Sequence, residues 1–81
     1  MNLYFISQNV VSGYDTYSDA VVAALNEADA KNTHPDGRKE WDGKIEYYSG
    51  WSNANDVNVK LIGISIAHLP AGVICASFNA G

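Results

Sequence analysis

Val57-Asn58-Val59-Lys60-Leu61-Ile62-Gly63-Ile64-Ser65-Ile66 decides the fold class. Val57, Val59 and Leu61 alternate with Asn58 and Lys60, the period-two pattern of a strand. The apolar phase then moves to Ile62, Ile64 and Ile66, with Gly63 at the change. A one-residue slip beside a glycine predicts a β-bulge, or else a strand passing from half-exposed to fully buried.

On the C-terminal side, His68-Leu69-Pro70-Ala71-Gly72 forms a connection, and Val73 to Phe78 is apolar at nearly every position, including Cys75. Such a run predicts a central strand covered on both faces, or one buried in a subunit contact. Towards the N-terminus, Leu3 to Gln8 reads as a first strand and Asp19 to Leu25 as a second, with Val21, Ala23 and Leu25 on one face. The stretch between them is long for a hairpin loop, and Gly13 supplies a turn conformation that other residues avoid.

A single short helix is legible. Asn26 is placed to cap Glu27 to Thr33, with Glu27 and Asp29 in the first turn where the helix dipole favours acids. Pro35 stops it, and the residue before a proline is pushed out of helical geometry. His34 is therefore expected to end the helix with its side chain near the exposed C-terminal carbonyls, and Pro35-Asp36-Gly37 to turn. The expected fold is α+β: one domain over 1–81, with a small antiparallel sheet of four to five strands and one short helix packed on one face.

Composition limits the function classes. An 81-residue chain has a core that only just offsets chain entropy, so oligomerisation would help it. The sole cysteine, Cys75, permits no intrachain disulfide, which favours a reducing, cytoplasmic setting. The N-terminus lacks a charged n-region and a cleavage site, and no run approaches the ~20 apolar residues of a membrane helix. A soluble, untargeted protein is expected. Nine acidic against five basic side chains oppose the counterion release that drives nucleic-acid binding.

Between the helix and the strand that opens at Val57 lies a polar stretch that carries Trp41, Tyr47, Tyr48 and Trp51. Connecting segments lie in water, so both tryptophans in one of them either fold back as core or face a partner. Arg38, Lys39 and Lys44 fall in the same stretch, with His34 just before. Arginine can grip phosphate bidentately while an aromatic ring stacks on a base. The candidate ligand residues are therefore His34, Arg38 and Lys39 for phosphate, Trp41 or Tyr48 for stacking, and Tyr14 and Thr16 for sugar or base edges. The Tyr14 loop is also well suited to a plain Asx-type turn.

Catalytic signals are weak. Cys75 sits among apolar neighbours with no base beside it, and behaves there as a small hydrophobe. His34, His68 and Cys75 lack the close paired spacing of zinc ligands. Neither a Gly-x-Ser-x-Gly elbow nor a Gly-rich phosphate loop occurs. No catalytic residue, metal or cofactor is assigned.

Three blocks carry a resemblance. Tyr14 to Ala24, His34-Pro35-Asp36-Gly37 followed by Trp41-Asp42-Gly43, and Gly72 to Gly81 resemble a group of small bacteriophage and prophage proteins. The likeness spans most of the chain and implies an anti-defence role in the host cytoplasm. The first expectation is a homo-oligomer that sequesters a small anionic nucleotide-derived immune signal, of cyclic nucleotide or cyclic ADP-ribose type, without turnover. The alternative is an acidic inhibitor that blocks a host defence complex, anti-CRISPR-like, by protein contact.

Overall fold

The computed structural model describes residues 1–46 and 49–80. Among these residues four strands, β1 (Asn2–Ser7), β2 (Thr16–Ala24), β3 (Asn58–Ile64) and β4 (Gly72–Asn79), form one sheet in the order β3-β1-β2-β4. Every neighbouring pair is antiparallel. One short helix, α1 (Glu27–Lys31), and a 3-10 turn, Ala54–Asp56, complete the α+β fold.

The slip in the Val57–Ile66 stretch is a bulge. Leu3 lies opposite Gly63 and Tyr4 opposite Leu61, which leaves Ile62 as the extra residue. The alternative, passage into a fully buried strand, is corrected: Ile64 and Ile66 are each 79% exposed, because β3 is an edge strand.

The register of the central hairpin sorts its side chains. Tyr4 pairs with Val22 and Ile6 with Ala20, so these four share a face. With Ala24, Ala30, Trp51 and Val57 they make the core. Leu3, Phe5 and Val21 occupy the opposite face and are only partly buried. Val21 and Ala23 share a face as expected, and it is the one turned from the core that Ala20, Val22 and Ala24 enter; Leu25, grouped with them, lies exposed beyond the end of the strand. Small and apolar residues fill both phases of this strand, so alternation alone did not distinguish them. The small ones leave room for the Trp51 indole, which is fully buried.

A second correction concerns β4, which is the other edge of the sheet and largely exposed rather than central. The strand is apolar on both phases without being covered on both. In the connection before it, His68 adopts a positive φ of 76°.

The Asn26 side chain caps α1 by accepting from the Asp29 amide at 2.8 Å. The helix ends at Lys31, earlier than expected. His34 does not sit beside exposed carbonyls; it is fully buried. The turn after it closes as expected, with the Gly37 amide donating to the His34 carbonyl at 3.1 Å.

Candidate functional site

Two clefts contain the exposed members of the candidate set. The first, of about 540 Å³, is formed where the β1–β2 loop meets the chain around residue 50, and Val11, Tyr14, Asp15, Ile45 and Glu46 line it. Thr16 also reaches it, but its hydroxyl is engaged, donating to the Gly13 carbonyl at 2.7 Å and so fixing the loop. Asp15 sits at φ 59° and Gly50 at φ 68°, both left-handed. The two segments touch so closely that a Cβ on Gly50 would lie 2.9 Å from the Thr16 Cα and nearer still to the Asp15 carbonyl oxygen. The Tyr17 amide donates to the Gly50 carbonyl at 2.9 Å and holds the junction. On this scaffold Tyr14 stands 77% exposed.

The second cleft, of about 450 Å³, is lined by Asn32, Thr33, Arg38, Lys39, Gly72 and Val73. Its main cation is already engaged. Arg38 donates to both carboxylate oxygens of Asp36, at 2.6 Å from Nη2 and 3.1 Å and 2.9 Å from Nε, and also pairs with Glu46. These hydrogen bonds raise the guanidinium pKa and hold the Asp36 carboxyl below its ordinary value. Because Glu46 lines the first cleft and Arg38 the second, their ion pair is the wall between them.

Behind that wall lies an aromatic stack rather than a binding surface. His34 meets Trp41 edge-on at 5.2 Å and Tyr17 edge-on at 6.3 Å, and Tyr17 in turn packs on Phe78 at 4.8 Å. Burial lowers the His34 pKa, partly offset by Asp36. In the neutral ring Nδ1 accepts from the Asp36 amide at 3.1 Å, which leaves the proton on Nε2. Nε2 has no hydrogen-bond partner among the described residues, and neither has Trp51 Nε1. Trp41 is half-buried, with its indole N–H donating to the Lys44 carbonyl at 3.0 Å.

The candidate residues therefore separate. Tyr14 and Thr16 meet in the first cleft, Arg38 and Lys39 in the second. His34 belongs to the core, so a phosphate cannot reach it in this fold; Trp41 packs against that core. Tyr48 lies outside the described residues. Sequence reasoning did not find Val11, Ile45, Glu46 or Gly50 as cleft residues, and only the chain's return past Asp15 brings them there. Among the described residues no group of three His, Cys, Asp or Glu side chains is arranged to hold a metal ion, and no helix is long and apolar enough to cross a membrane.

The chain matches no protein-family model, and comparisons with curated proteins and with solved structures yield no match.

Proposed function

We propose that this protein is a non-catalytic binder that sequesters a small nucleotide-derived signal, in the anti-defence role that the phage-protein resemblance implies. The observation that carries the reading is Tyr14, 77% exposed beside a cleft of about 540 Å³ whose walls include Val11 and Ile45. Clefts of this size take small ligands, and an exposed tyrosine stacks on any planar base with little rotamer freedom to lose. Asp15 and Glu46 supply acceptors for base amino groups or ribose hydroxyls, not for phosphate. A phosphate attached to that nucleoside would cross the wall towards Lys39, and would compete with Glu46 for Arg38.

The reading is tested by a panel of cyclic dinucleotides and cyclic ADP-ribose isomers, screened by thermal shift against the intact protein. Bound ligand is then released by heat denaturation and identified. Unaltered ligand supports sequestration, altered product replaces it with catalysis, and no shift with any member overturns it. Tyr14→Ala should abolish the shift, and Lys39→Ala should reduce it.

A second reading, an inhibitor acting by protein contact, is favoured by a different surface. Leu61, Ile62, Ile64 and Ile66 are all exposed along β3 and the residues after it, in a chain of net charge −4. Contiguous exposed aliphatic side chains mark contact surfaces. Capture of one stoichiometric protein from infected cells, lost on Ile64→Lys, would support this reading over the first.

A further inference from the structure

We propose that β4 is a dimerisation edge, along which two copies of this chain pair antiparallel into one continuous sheet. An edge strand presents unpaired N–H and C=O groups, and proteins that must stay apart block such a row with lysine, proline or inward charge. β4 has none of these: Gly-Val-Ile-Cys-Ala-Ser-Phe-Asn contains no charged residue and no proline over its eight positions. The opposite edge is defended. β3 carries Lys60 in its middle, and this charge is what sets the two edges apart, since each strand is interrupted by a bulge, at Ile62 in β3 and at Ile74 in β4.

The strand is better suited to a second copy than to a foreign strand. The whole chain is anionic at −4, so association must avoid setting like charges opposite one another. Self-pairing along β4 brings no charged β4 side chain opposite another. The faces also match. In β4, Ala76 lies opposite Ala20 and Phe78 opposite Tyr17 on the core side, while Cys75 lies opposite Val21 and Ser77 opposite Asp19 on the open side. A two-fold axis perpendicular to the sheet keeps these sides aligned between copies, so both core layers run on across the junction. Ile74, Cys75 and Phe78, exposed in the single chain, then gain cross-strand neighbours.

Antiparallel pairing has a geometric corollary. Gly72 and Val73, at the start of β4, line the cleft that holds Arg38 and Lys39, while Ser77, Phe78 and Asn79, at its end, line a separate cleft. The start of one strand runs beside the end of the other. The cation-bearing cleft of each copy is therefore brought alongside the far cleft of its neighbour.

The test is sedimentation velocity on the full chain, in reducing buffer, over a concentration series. A dimer is expected, and Ile74→Lys or Ser77→Lys should each convert it to monomer with an unchanged circular dichroism spectrum. Hydrogen exchange should show β4 amides that are protected in wild type and released in either variant. Ile64→Lys on β3 should leave the dimer intact. A monomer at every concentration overturns the proposal, as does a dimer that survives both β4 substitutions but is lost on Ile64→Lys. Should a β4 variant fail to fold, the wild-type exchange pattern decides: unprotected outer β4 amides in a dimeric sample overturn the proposal.

Discussion

The Trp41 indole stands edge-on to the buried His34 ring, with centroids 5.2 Å apart and planes at 89°. This contact makes the indole a reporter of the imidazole charge. Burial holds the His34 pKa below its ordinary 6.5. Well above pH 6.5 the ring is neutral in both folded and unfolded chains, and stability is unaffected. Below it the unfolded chain binds the proton first, so stability falls as pH drops through the window between 6.5 and the lower folded value. The His34 ring resonances should titrate below 6.5 by NMR, with a parallel change in Trp41 fluorescence. Titration above that value would show that Asp36 outweighs burial.

Gly50→Ala should be among the most damaging single-methyl additions. The new Cβ would press on the backbone of Asp15 and Thr16, at a φ of 68° that disfavours L side chains. A cost of about 1–3 kcal/mol is expected. Gly13→Ala is the control: its φ is also positive, but nothing lies within 4 Å of the added atom. Urea unfolding should rank Gly50→Ala well below Gly13→Ala, and equal losses would show that conformation rather than contact sets the cost.

Trp51→Ala removes the largest fully buried side chain and should cost roughly 3–5 kcal/mol, a large share of the stability of so small a domain. Ile64→Ala, at 79% exposure, should change stability by less than about 0.5 kcal/mol. Chemical denaturation of the two variants makes the comparison, and Trp51→Phe provides a folded intermediate case.

Arg38→Ala separates a structural from a ligand role. Its ion pairs with Asp36 and Glu46 are partly exposed, with side-chain exposures of 32%, 30% and 48% for the three residues. Pairs in such surroundings contribute under about 1 kcal/mol. A small loss of stability together with a large loss of nucleotide-induced thermal shift would place phosphate on Arg38. Loss of stability alone would assign it to shaping the wall between the clefts.

The sequence was legible where one local rule had one outcome. The slip beside Gly63 could be read because a bulge leaves a phase error, and the Asn26 cap because its carboxamide serves an amide three residues on. Centrality was not legible. β4 is as apolar as a buried strand, and its place at the edge depends on which strand β2 recruits, a choice that no local pattern records. His34 was misplaced for a similar reason: Pro35 located the end of helical geometry, but the burial of the ring comes from Tyr17 and Trp41, seventeen positions upstream and seven downstream. The cleft depends on the contact of Asp15 with Gly50, which spacing alone cannot express.

The position of β1 between β2 and β3 carries a consequence for how the chain is made. Tyr4 is paired with Val22 on one side and Leu61 on the other. As synthesis proceeds, β1 and β2 can join early as a local hairpin, but the second edge of β1 stays open until residues 58–64 have emerged. Closing that long loop is the entropically slow step. β1 leaves the ribosome ahead of both its partners yet is thus among the last of the four strands to complete its hydrogen bonds, and nascent chains that stop short of β3 present a bare, apolar strand to anything that will pair with it.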